Sequence, residues 1–154
     1  MIKEEERLNK ARAYAFLLLK FRLRSEREIY SRLKRKKFPE EIIRKTIAFL
    51  KEKDFLDDNL FAKAWIESRL KKPFGFRRIA GELRQKGIES QVLERQIEEQ
   101  KKSFREEEVI QGLISKKIAK LKKTDMKALK PQLYAWLLRR GFSADIIQDE
   151  LESL

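Results

Sequence analysis

Three kinds of residue in this chain could do chemistry. Asp57 beside Asp58, and the run Glu106, Glu107, Glu108, place carboxylates next to one another, as a metal site or an acid–base pair requires. A larger cationic set, Arg22, Arg24, Arg27, Lys34, Arg35, Lys36, Arg69, Lys71, Lys72, Arg77, Arg78, Arg84 and Lys86, could hold phosphate or carboxylate, because the planar guanidinium fork donates twice. Phe74 and Phe76 flank Gly75 and could stack on a base, plug a protein groove, or close the gap between two helices.

Composition narrows these options. The chain has no Cys and no His, so the usual structural zinc sites, disulfides, thiol catalysis and imidazole catalysis have no residues to work with. No glycine-rich phosphate loop is present. Both acidic groups fall where the apolar pattern starts a helix, and there a carboxylate stabilises the helix dipole by about 0.3–1 kcal/mol. Capping therefore explains them better than catalysis. No catalytic residue, metal or cofactor is predicted.

The cations are in excess, 38 Lys and Arg against 25 Asp and Glu, a net charge of +13. Residues 1–56 carry 17 basic and 9 acidic side chains, so most of the surplus sits early in the chain. Such a field draws in nucleic acid or an acidic protein surface. No apolar run approaches the roughly 18 residues of a membrane span, and MIKEEERLNK lacks a signal peptide's apolar region. A soluble, cytoplasmic chain without membrane association is expected.

The elements that position these residues follow from periodicity. Leu8, Ala11, Ala15, Leu18 and Arg22 share one stripe, predicting a helix over about Glu4–Leu23. Ser25 and Glu28 have the spacing of a capping box, which starts a second helix with Ile29 and Leu33 inward. Pro39 suits the first turn of a third, whose buried face is Ile42, Ile43, Ile47 and Leu50. Asp57 and Asp58 open a fourth, with Leu56 stapled onto Phe61 and with Trp65 on the core stripe. Trp136, beside the inward Leu137, is expected to be partly exposed.

A shift of 50 residues carries Ile29, Leu33, Phe38, Ile42, Ile43 and Ile47 onto Ile79, Leu83, Ile88, Val92, Leu93 and Ile97. A further shift of 54 reaches Leu133, Leu137, Phe142, Ile146, Ile147 and Leu151. The first helices align at smaller offsets, so three extra residues in the middle copy and nine in the last belong to the loop before the second helix. Gly87 and Gly141 are left-handed helix stops, and Lys37 takes that place in the first copy at a cost of about 1–2 kcal/mol. The expected fold is all-α: three tandem three-helix repeats, residues 1–55, 56–104 and 105–154, stacked into an elongated, curved array. One compact bundle of nine helices is the competing arrangement. A helix-turn-helix reading is possible for each repeat, but the scarcity of Asn and Gln argues against base-specific recognition.

Three stretches resemble the RecX family of bacterial modulators of the RecA recombinase. They are Tyr14-Ala15 with Leu18-Leu19, Arg22, Arg24 and Ser25; Leu56-Asp57-Asp58 with Phe61-Ala62, Trp65 and Arg69; and Gly75 with Arg78-Ile79, Glu82-Leu83 and Lys86-Gly87-Ile88. Lys37 stands where that family usually has Gly, and Phe76 where Pro commonly follows the loop glycine. The resemblance implies a non-enzymatic regulator that lies along the groove of the RecA–single-stranded DNA filament and inhibits its ATPase, strand-exchange and coprotease activities, and tandem repeats make a monomer sufficient for it. The cationic residues named above would supply the binding face. A general basic DNA-binding protein that competes with RecA for free DNA is the alternative.

Overall fold

Apolar residues recurring at three- and four-residue steps commit one stripe of each helix to a core. The computed structural model describes residues 2–121 and 126–154, and these form nine α-helices with no strand among the described residues. The first repeat supplies α1 (Ile2–Phe21), α2 (Glu26–Arg35) and α3 (Glu40–Glu52), the second α4 (Asp58–Leu70), α5 (Phe76–Gln85) and α6 (Ser90–Lys101). The third supplies α7 (Glu106–Ala119), α8 (Met126–Arg139) and α9 (Ala144–Glu152). None of these helices is long and apolar enough to cross a membrane.

The capping box forms as the spacing requires: Ser25 Oγ accepts from Glu28 N at 3.2 Å and Glu28 Oε1 accepts from Ser25 N at 3.2 Å. Pro39 is itself the extended N-cap of α3, with φ −61° and ψ 149°, rather than a residue of its first turn. It offers no side-chain acceptor, and Glu40 and Glu41 follow at the positive end of the helix dipole.

Each second helix ends in the same way. The amide of Phe38 bonds Leu33 O, that of Ile88 bonds Leu83 O, and that of Phe142 bonds Leu137 O, while the residue before each bonds the carbonyl three back. This is the Schellman pattern, closed by an apolar residue just past the stop. The stop residues Lys37, Gly87 and Gly141 have φ of 67°, 83° and 92°. Asp54 ends α3 similarly, with φ 62°, and no glycine marks it in the sequence.

The nine-residue insertion of the third repeat does not lie wholly in a loop. In repeat register α2 and α5 start at positions equivalent to Lys130, yet α8 begins at Met126 and carries Pro131 inside it. Part of the added chain is therefore spent on an extra turn, whose Leu129 is buried.

By tertiary contact the chain forms two compact units, residues 1–64 with 83–93, and residues 65–82 with 94–154. The first packs α1, α2 and α3 on one another around Ala11, Ala15, Leu18, Ile29, Leu33, Ile43 and Leu50. The second packs α9 on α7 and α8 around Ile110, Ile114, Leu133, Leu137, Phe142 and Ile147. Helices α4, α5 and α6 contribute to both.

Candidate functional site

The carboxylates expected to cap their own helices divide their work. Asp57 does so, its Oδ1 accepting from Asn59 N at 2.9 Å. Asp58 instead accepts from Glu26 N, at 2.9 Å, and so caps α2 of the preceding repeat. Glu106 is 7% exposed; its Oε1 takes Phe76 N of α5 at 2.9 Å and its Oε2 takes Ser143 N at the start of α9 at 3.2 Å. Asp58 and Glu106 hold the same repeat position, as do Glu26 and Phe76, so one joint is built twice. Each acid is the first residue of its own helix, and the neighbouring helix start offers it N–H groups that lack an intrahelical acceptor. Glu107 and Glu108 stay in the first turn of α7.

The turns complete these joints. Ser25 Oγ donates to Lys86 O at 2.7 Å, and at the equivalent place Gly75 N donates to Arg140 O at 2.8 Å. A Cβ on Gly75 would lie 2.3 Å from Gly141 O, so only a residue without one brings its amide this close. A Cβ on Gly87 would meet the Arg27 side chain, and one on Gly141 would meet Arg78. Lys37, at the equivalent place in the first repeat, is exposed.

The predicted cations fall into two clusters and a remainder. In the first unit, Arg22, Arg24, Arg27, Arg32 and Lys86 line a pocket of about 300 Å³ around one carboxylate, Glu28. Glu28 Oε2 lies 2.5 Å from Arg22 Nη2, 3.6 Å from Lys86 Nζ and 4.0 Å from Arg24 Nη1. Burial raises the Glu28 pKa, but the Arg22 hydrogen bond, the Ser25 amide and the nearby cations outweigh it and hold the carboxyl below its usual range. Arg24 is not on an exposed face: its side chain is 13% exposed. Burial first, and then the cations of Arg22 and Arg32, lower its pKa against the pull of Glu28.

In the second unit the half-buried Phe74 is ringed by guanidinium groups, with Arg78, Arg69 and Arg140 at 4.0, 4.4 and 5.9 Å from its centroid. Arg69 is held by Glu82 through two bonds of 2.9 and 2.6 Å and its side chain is 19% exposed, so it is a partly buried, paired cation rather than an exposed contact. Trp65 is not core. It is half-buried and donates Nε1 to Glu82 Oε1 at 3.3 Å, an indole N–H needing a polar partner, while Phe61, Ala62 and Ile66 fill the buried stripe of α4. Trp136 is half-exposed as expected, beneath Lys117 and Arg140 at 4.6 and 5.1 Å. Phe76 is buried edge-on against Phe104, so of the loop pair only Phe74 stays accessible.

Lys34, Arg35, Lys36, Lys71, Lys72, Arg77 and Arg84 are exposed, as Arg27 and Arg78 are. Arg32, Arg140 and Lys117 belong to the two clusters and were missing from the predicted set. Repeat register marks Arg140, the counterpart of Lys86, but nothing in the sequence separates Arg32 from its exposed neighbours.

Joints made by carboxylates between successive three-helix units, with cations gathered around an aromatic side chain and inside a pocket, define a tandem three-helix-repeat protein with a basic surface. Family models for RecX match in order, the first three-helix domain over residues 11–50, the second over 57–95 and the third over 105–151. The regulatory protein RecX of Clostridium botulinum strain Alaska E43 is 32% identical over 151 residues, covering 97% of this chain and 70% of that one. That of Chlorobium limicola is 31% identical over 147 residues, covering 95% and 90%. The chain belongs to the RecX family of regulatory proteins. The crystal structure of RecX from Lactobacillus salivarius superposes with a TM-score of 0.86 over 97% of both chains at 21% identity, which concerns the fold alone.

Proposed function

We propose that this chain is a non-enzymatic regulator of RecA that binds the groove of the RecA–single-stranded DNA filament and lowers its ATPase, strand-exchange and coprotease activities. Membership of the RecX family supports the regulatory class. The observation that carries the reading to a nucleoprotein partner is the set of exposed cations without an ion-pair partner among the described residues: Lys34, Arg35, Lys36, Lys71, Lys72, Arg77 and Arg78. Unneutralised charge of this kind is matched by DNA phosphate and acidic protein surface presented together. We take the periodic segments 1–55, 56–104 and 105–154 as the modules, acting in the cytoplasm as a monomer.

Reversing Lys34, Arg35, Lys71 and Lys72 to Glu leaves the buried joints untouched and is expected to abolish inhibition of DNA-dependent RecA ATPase. Full inhibition by a folded quadruple variant refutes the assignment. The second reading, simple competition for DNA, draws on the Arg-ringed Phe74, since an accessible aromatic can stack on a base. Binding to naked single strands weakens with salt by about 0.7 log units per log unit of salt for each phosphate neutralised. Association with the filament that outlasts binding to naked DNA in a salt titration supports the regulator; loss of both together supports competition.

A further inference from the structure

The pocket around Glu28 holds more positive charge than its own surroundings balance. Five cations, Arg22, Arg24, Arg27, Arg32 and Lys86, face one carboxylate. Glu28 serves Arg22, Arg24 and Lys86, whereas Arg27 and Arg32 have no ion-pair partner among the described residues. Arg24 Nε and Arg32 Nε are moreover buried without a hydrogen-bond acceptor among the described residues. Buried charged donors left unpaired are costly, and native structures usually supply them with an acceptor. Arg12 Nε is also unpaired, but its guanidinium lies 3.9 Å over the Phe49 ring, which offsets its charge. Nothing comparable covers Arg32: Ser31 and Gln85 are the remaining lining residues, and no aromatic is among them.

We propose that this pocket binds a terminal phosphate group, as a phosphate monoester or pyrophosphate, rather than a phosphodiester backbone. A phosphate monoester carries about −1.5 to −2 charges and three strong acceptor oxygens, enough to take both buried Nε–H groups and the unpaired guanidinium charge together. A phosphodiester brings a single charge per residue, and strands are tracked along open grooves with aromatic platforms. This pocket is lined by charged and polar residues, and no aromatic platform is among them. Its volume, about 300 Å³, stands at the small end of ligand sites. Glu28 is the built-in competitor, occupying the cations while the pocket is empty.

The competitor provides the sharpest test. Glu28→Gln keeps the capping box, which accepts Gln as well as Glu, while removing the internal counterion. Calorimetric titration of the full chain with pyrophosphate, at ionic strength held constant with sodium chloride, should give saturable one-site binding. Glu28→Gln should tighten it by about fivefold, and Arg32→Gln should weaken it by about tenfold or more. Lys63→Gln and Lys116→Gln, exposed and remote in sequence from the pocket, should leave it unchanged. In a second arm, a short single strand bearing a 5′-phosphate should bind more tightly than its 5′-hydroxyl twin, and the advantage should vanish in Arg32→Gln. Unsaturable binding, weakening by Glu28→Gln, equal losses in the Lys variants, or equal affinity for the two strands each overturns the proposal. The wild-type titration and Glu28→Gln decide the matter even if Arg32→Gln fails to fold.

Discussion

Glu106→Ala removes a side chain that joins the starts of α5 and α9. Two backbone donors, Phe76 N at 2.9 Å and Ser143 N at 3.2 Å, lose a charged acceptor together. A buried donor left unsatisfied costs about 1–3 kcal/mol. A depression of about 660 Å³ bordered by Phe76, Glu106 and Ser143 lets water reach the cut ends and recover part of this. The net loss should be about 2–4 kcal/mol for Ala and about 1–2 kcal/mol for Gln, which keeps one acceptor. Asp58→Ala loses a single bond from a half-buried acid whose burial already opposes its charge, and should cost about 0.5–1.5 kcal/mol. Urea unfolding followed by tryptophan fluorescence reads the effect, because Trp65 and Trp136 lie in the same contact unit as Glu106. Circular dichroism reads Asp58→Ala, and amide exchange at Phe76 and Ser143 should accelerate in Glu106→Ala. A change below about 0.5 kcal/mol in Glu106→Ala, or one no larger than that of Asp58→Ala, refutes the joint.

Lys37→Gly should stabilise the chain by about 1 kcal/mol, since φ of 67° strains a residue whose side chain is exposed; a lower urea midpoint contradicts this. Gly75→Ala should destabilise by about 1–3 kcal/mol, because the new Cβ meets the backbone of Gly141 at 2.3 Å and that backbone cannot swing aside as a side chain would. With the Glu28 carboxyl held below its usual range, its stabilisation is full above the unfolded pKa and is lost as pH falls through the folded one. Asp58, raised chiefly by burial, has the opposite slope, so its charged form costs stability as pH rises through its window. Urea midpoints measured from pH 3 to pH 6 should therefore climb less steeply in Glu28→Gln than in the parent chain, and more steeply in Asp58→Asn.

Helix positions, the stop residues and the threefold register were legible because each is a local rule. A stripe of apolar residues, a capping box or a residue needing positive φ is written within one or two turns of chain. Trp65 departs from the same logic, since periodicity reports which face a residue occupies but not that Glu82, on the next helix, accepts its N–H. The nine added residues of the third repeat were assigned to a loop because their number could be counted while their conformation could not. Phe76, read as a loop aromatic, proved to be the first residue of α5, and it supplies an N–H to Glu106 that a proline at that position would lack.

The amino-acid order by itself determined the all-α class, the three copies of the module, the absence of thiol and imidazole chemistry, and the cationic surplus. Only the tertiary structure decided which charges are partnered. Asp58 and Glu106 became joints between repeats, Arg24 and Arg69 became largely enclosed, and Arg32 and Arg140 joined the cationic clusters. The reason is physical: helix propensity and apolar periodicity act over one turn of chain, whereas desolvation and ion pairing depend on which atoms come within a few ångströms across the fold, at separations in sequence of 61 residues for Ser25 with Lys86 and 67 for Pro73 with Arg140.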